Sequence, residues 1–111
     1  MSLTLYGLKN CDTCKKALKA LEAAGKAVTF VDIRAEADLA ALLPGWLDSA
    51  GPDRLINRRS TTWRILSEAE RAGDPLALLS AHPTLIKRPV IVADAAIFVG
   101  WAKDTQAALA Q

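Results

Sequence analysis

The chain has 111 residues, of which 51% are hydrophobic and 23% charged, with a formal net charge of +2. That length suits one compact domain with a real core, and the apolar fraction excludes a disordered chain. Near-neutral charge speaks against a dedicated nucleic-acid binder, and no segment reaches the ~20 apolar residues of a membrane-spanning helix.

The opening MSLTLYGLKN lacks a basic segment followed by a long apolar run. No secretory leader is read from it, and a cytoplasmic protein with reduced thiols is expected. Leu3–Tyr6 alternate apolar and polar residues up to Gly7, which predicts a short strand. CDTCKKALKALEAAG follows, with Cys14, Ala17, Leu18, Leu21 and Ala24 at helical spacing and Gly25 as the stop. Val28–Ile33 reads as a second strand, completing the β-α-β unit of a parallel crossover.

The middle of the chain is predicted helical. Leu39, Leu42, Leu43, Trp46 and Leu47 share an apolar face, and Pro44 predicts a break near Leu43 with a new helix running to about Ala50. Asp53–Asn57 suits one short helical turn. Thr61 or Thr62 is the expected cap of a helix that carries Trp63, Ile65, Leu66 and Ala69 and stops near Gly73. Asp74-Pro75 opens a further short helix to about Ala81. Pro83 and Pro89 bracket a connector, and VIVA and AIFVG then form two strands around an Asp94-Ala95 turn. Lys103–Gln111 closes the chain as a helix capped from Trp101 or Ala102. The expectation is a single α/β domain, residues 1–111, ordered β-α-β, helices, β-β-α, with the helical insertion at about residues 36–82.

The chemistry is expected where the first strand turns into the first helix. A helix start has unsatisfied N–H groups and the positive end of the dipole, and both favour a thiolate. Cys11, beside Asn10 and Asp12, receives that stabilisation. Cys14 lies one turn further on the same side, placed to resolve a mixed disulfide. Lys9, Lys15 and Lys16 add positive potential, which Asp12 opposes. A zinc site is the competing use of the pair, but zinc takes four ligands and only His82 is at hand unless Asp or Glu completes the set. No metal is expected. The other competitor is simple core packing, more credible for Cys14 than for Cys11.

Two more features bear on function. Arg88-Pro89 precedes a strand, and its peptide bond suits either a plain trans start or a cis turn. Arg58, Arg59 and Arg64, with Lys87 and Arg88, offer paired donors for an oxyanion or carboxylate, or form an ordinary solvated face. His82 is either a proton carrier or a capping residue.

Taken together, YGLKNCDTCKKALKALE, LINRRSTTWRIL and HPTLIKRPVIV resemble the glutaredoxin-like arsenate reductase (ArsC) family, which also includes the Spx regulators. The look is nearest to its short, arsenate-reductase-related thiol reductase branch. The resemblance implies a thioredoxin-like fold, Cys11 in the catalytic cysteine position, Arg88 as the arginine that contacts the oxyanion or thiol adduct, and Pro89 as the cis-proline. A second arginine of the reductases falls at or beside Asn57-Arg58, and the third matches Trp101, so one positive charge of an arsenate site is missing. Cys14 departs from many reductases of the family and matches the CxxC of Spx-like regulators.

The expected activity is therefore thiol-disulfide oxidoreduction, with Cys11, Cys14 and Arg88 catalytic and Asn10, Arg58, Arg59 and Pro89 holding the substrate. Glutathione is the expected co-substrate, glutaredoxin a possible partner, and no bound cofactor is expected. A monomer without nucleic-acid or membrane partners completes the picture. The alternative is a redox-sensing, Spx-like binding protein of RNA polymerase, and the third reading is arsenate reduction proper.

Overall fold

A computed structural model describes residues 2–94 and 96–109. The chain divides into two compact units, one built from the segment up to Ala37 and the segment from Arg88 onward, the other from Asp38–Lys87.

The first unit holds a four-stranded sheet in the order β2-β1-β3-β4, from β1 (Ser2–Gly7), β2 (Ala27–Asp32), β3 (Val90–Ala93) and β4 (Ala96–Val99). Strand β1 runs parallel to β2 and antiparallel to β3, and β3 and β4 form a hairpin. Helix α1 (Asp12–Ala23) makes the crossover from β1 to β2, and the helix Lys103–Leu109 follows β4. This is the thioredoxin-like order expected. Alternation along the strands turns Leu3, Leu5, Ile91 and Ala93 to one face, where they pack with Cys14, Ala17 and Leu21 of α1 and with Leu109. Helix α1 ends as Gly25 predicted: Gly25 takes φ +80°, its N–H donates to Glu22 O, and Lys26 N–H donates to Leu21 O, each at 3.0 Å. Asp94 turns the β3-β4 hairpin at φ +54°. Ala95 of the expected turn, and Ala110 and Gln111 of the expected last helix, lie outside the described residues.

The second unit is helical, with α2 (Leu39–Ala50), α3 (Pro52–Leu55), α4 (Thr61–Ile65), α5 (Glu68–Arg71), α6 (Pro75–Ala81) and a 3-10 turn at Pro83–Leu85. The helix Lys103–Leu109 is therefore α7. Two expectations need correction here. Pro44 does not break the chain in two, but sits inside α2. Continuity buries Leu43 and Trp46 on one face, and the Asp38 side chain caps the start by accepting from Ala41 N–H at 3.3 Å. These gains offset the one backbone bond Pro44 cannot make. The helix expected from Thr61 to Gly73 is instead two helices, and its cap is Ser60, which accepts from Trp63 N–H at 3.2 Å. Leu66 is extended at ψ 144°, and Ser67 with Glu70 forms a capping box that starts α5 anew. Thr62 is occupied elsewhere, sharing a 2.7 Å hydrogen bond with Thr84. The turn after α3 is tied by an Ile56–Ile86 bridge, with Asn57 N–H donating to Leu85 O at 2.8 Å and Lys87 N–H to Leu55 O at 2.7 Å.

Candidate active site

The first unit brings Cys11, Cys14, Arg88, Pro89 and Asn10 into one body. Cys11 is the N-cap residue of α1, with an extended backbone at φ −93° and ψ 116°. Its N–H donates to Leu8 O at 3.2 Å, and its carbonyl accepts the first helical bond from Lys15 N–H at 3.0 Å. The side chain makes no capping hydrogen bond. A half-buried sulfur thus stands at the open, electropositive end of a three-turn helix.

Cys14 is different. It is 1% exposed and packs in the core with Ala17 and Leu21. Burial pushes its thiol from 9.0 up to about 12; the Leu8 backbone N–H pulls the other way, while the contact and charge of Cys11 push up again and Arg88 pulls down. Cys14 is therefore a protonated donor toward the Cys11 sulfur, and the half-buried Arg88 lies within electrostatic reach of the pair. Both cysteines are free thiols.

Sequence reading missed what makes room for Cys14. Positions 3, 5 and 7 of β1 face α1, and a Cβ on Gly7 would stand 2.5 Å from Cys14 Sγ. Gly7 is thus a seat for the second cysteine as well as the end of a strand. The signal was present: extending the Leu3, Leu5 alternation by one step puts residue 7 beneath the helix. The role of Leu8 is carried by its backbone and leaves no trace in residue type.

The Arg88-Pro89 peptide is cis, which settles the choice left open between trans and cis. Pro89 is buried, and its carbonyl accepts from Gly100 N–H at 2.8 Å. Trp101, in the position matched to a family arginine, packs against the core group that contains Cys14. Asn10 is exposed and lines a cleft of about 390 Å³ with Leu8, Lys9, Asp32, Arg34 and Ala35. Among the described residues, no three His, Cys, Asp or Glu side chains are placed to hold a metal ion, and no helix is long and apolar enough to cross a membrane.

Arg58 and Arg59 belong to the second unit. With Asp53, Ile56, Asn57 and Lys87 they line a cleft of about 410 Å³. Arg58 is engaged there, donating to Asp53 Oδ1 at 3.1 Å and lying 5.5 Å from the centre of the Trp63 ring. Arg71 covers the same ring at 5.3 Å and donates from Nε and Nη2 to Trp63 O. Asn57 accepts from Arg59 N–H at 3.1 Å. His82 is the C-cap residue of α6, with Nε2 3.9 Å from a Glu70 carboxylate oxygen.

The ArsC family matches residues 6–109, from the end of β1 through α7. The chain belongs to the ArsC family. It is 41% identical over 113 residues to an uncharacterized protein of Haemophilus influenzae, covering 97% of this chain and 99% of that one. Among solved structures it is similar to the YFFB protein, with a TM-score of 0.86, 35% identity, and 98% and 99% of the two chains covered. An arsenate reductase (ArsC) related protein from Brucella melitensis matches with a TM-score of 0.79, 39% identity, and coverage of 97% and 93%. Family membership makes the chain a protein related to arsenate reductases, on a thioredoxin-like fold.

Proposed function

We propose that this ArsC-family protein is a glutathione-dependent thiol reductase in which Cys11 is the nucleophile and Cys14 the resolving thiol. The observation that carries this reading is the asymmetry of the pair: Cys11 half-buried at an open helix start, Cys14 buried against the core one turn further on. The Cys11 thiolate attacks one sulfur of a disulfide substrate, whose S–S bond breaks as a mixed disulfide forms on Cys11. The departing thiolate takes up a proton. Cys14 then gives up its proton and attacks the Cys11 sulfur, releasing the second substrate thiol and leaving a Cys11–Cys14 disulfide. Two molecules of glutathione reduce that disulfide and leave as oxidised glutathione.

Cys14 is well suited to wait its turn. While Cys11 is a thiolate, burial and the neighbouring sulfur both keep Cys14 protonated. Once Cys11 is tied in a mixed disulfide its charge is gone, and the Leu8 N–H and Arg88 are left to oppose burial. Arg88 also supplies a cation for an anionic substrate or adduct. Trp101 brings no charge, which favours a sulfur substrate over arsenate. Asn10, next to Cys11 in the chain, and Pro89, next to Arg88, are assigned to substrate binding, and the cleft lined by Arg58 and Arg59 offers donors to an anion.

Mass spectrometry after incubation with oxidised glutathione tests the assignment. Wild type is expected to end as the internal disulfide, Cys14→Ser to retain one glutathione, and Cys11→Ser to retain none. A wild-type protein whose Cys11 remains unmodified overturns the reading.

A further inference from the structure

Strand β2 is the edge of the sheet beneath α1, and the cover there is incomplete. Leu18 of α1 and Phe30 of β2 pack on the core yet stay only partly buried. Beside them opens a cleft of about 320 Å³ lined by Leu8, Lys9, Cys14, Lys15, Leu18 and Phe30. That size falls at the lower end of small-molecule pockets, which run from about 300 to 1,000 Å³. The walls are almost wholly apolar. Lys9 and Lys15 are exposed, so their stems line the cleft while their ammonium groups reach water at its rim. Cys14, whose thiol contacts the Cys11 sulfur, is part of its wall. A second cleft shares Lys15 and Leu18 and adds Lys16 and Lys19 alongside Asp12 and Glu22, so lysines continue along α1.

We propose that this cleft selects the substrate, and that the substrate is an apolar organosulfur anion: a disulfide with an aromatic or branched skeleton bearing a carboxylate. The proposal rests on the reductase reading above and deepens it. A hydrophilic disulfide leaves the Leu8, Leu18 and Phe30 walls unmatched, and a neutral hydrocarbon leaves the two rim cations unmatched. An aryl carboxylate satisfies both at once, with its ring against Phe30 and Leu18, its carboxylate toward Lys9 and Lys15, and its sulfur toward Cys14, the cysteine of the cleft wall and the neighbour of Cys11.

The test uses para-(methylthio)benzoate, a thioether that cannot exchange, titrated into the whole protein while backbone amide shifts are followed. Saturable shifts are expected at Leu8, Lys9, Lys15, Leu18 and Phe30, with affinity at least about threefold weaker for the methyl ester and for Lys15→Glu. No saturation up to about 10 mM, shifts centred elsewhere, or an ester that binds as well as the acid overturns the proposal. A second measurement compares exchange of dithiobis(nitrobenzoate) with that of bis(hydroxyethyl) disulfide. The ratio of their kcat/KM values is expected to fall about tenfold in Leu18→Gln. Exchange of both disulfides without binding at the cleft overturns the cleft assignment alone. Binding there without exchange of either disulfide overturns the reductase reading and, with it, the substrate role of the cleft.

Discussion

In the sheet unit, residues remote in sequence hold one another in place. Leu3 pairs with Ala93 and Leu5 with Ile91, and α1 and α7 close over them through Cys14, Ala17, Leu21 and Leu109. In the helical unit, neighbours do much of that work. Asp38, Ser60, Ser67 and Asp74 each cap a helix by accepting from a backbone N–H three residues on. The two thiols sit in the first kind of structure. Their spacing depends on a strand, a crossover helix and a return strand all being in register. Damage there is expected to spread to the chemistry, whereas damage to a cap stays with its helix.

Among single substitutions, the largest expected effect is therefore at Gly7. In Gly7→Ala, the new Cβ meets Cys14 Sγ at 2.5 Å, with Cys14 Cβ at 3.2 Å and Leu5 Cδ2 at 3.4 Å behind it. Urea unfolding should show a loss of about 1–3 kcal/mol, the usual cost of overpacking a core. Adding Cys14→Ala removes the nearest atom, and the double variant should be more stable than the sum of the two single changes predicts by at least about 0.5 kcal/mol. Strict additivity would mean that Gly7 does not seat Cys14.

Alkaline pH probes the same thiol. With its thiol pushed from 9.0 to about 12, folded Cys14 keeps its proton where the unfolded chain loses it. Its contribution is fully present below pH 9.0 and is lost as pH rises from there to about 12. The folding constant should fall by up to about tenfold per pH unit across that window, beyond any fall shared with Cys14→Ala. Parallel pH profiles for the two proteins would contradict the burial of this thiol.

Much of the sheet unit was legible because its signals are redundant. Alternation in Leu3–Tyr6, helical spacing from Cys14 to Leu21 and the stop at Gly25 all point the same way. The cysteine pair was legible from its place at a strand-to-helix turn. What escaped was steric and local. Gly7 carries no chemistry, so its importance appears only once α1 lies across β1. Pro44 misled because a fixed local penalty was set against burial of Leu43 and Trp46, which only tertiary packing supplies. The split at Leu66 escaped because the apolar spacing from Trp63 to Ala69 is compatible with one helix, and the Ser67–Glu70 box overrides it.

That box gives the third prediction. Ser67 N–H donates to Glu70 Oε1 at 3.0 Å, and Glu70 N–H donates to Ser67 Oγ at 3.1 Å. The first of these, with the Ser67 hydroxyl, holds the Glu70 carboxyl below its ordinary range. Ser67→Ala should cost about 1 kcal/mol, and hydrogen exchange should quicken in α5 while the amides of β1 and α1 keep their protection. Because the Glu70 shift is downward, the stabilisation is present above the ordinary carboxyl pKa and fades as pH falls through the lowered value. Faster exchange across β1 would show that the two units share one cooperative unfolding step.

The smallest effect is expected at the Arg58–Asp53 pair. Its 3.1 Å contact looks strong, but the two side chains are 47% and 91% exposed, so water and salt screen the attraction. Arg58 also lies over the Trp63 ring, a contact that does not involve Asp53, and the ring holds a second guanidinium from Arg71. Asp53→Ala should therefore change stability by no more than about 0.5 kcal/mol, with little dependence on added salt. Arg71→Ala is the informative contrast. It removes both hydrogen bonds to Trp63 O along with the ring contact, so it should cost more than Asp53→Ala. If the order is reversed, surface charge and not backbone capture by Arg71 organises this part of the helical unit.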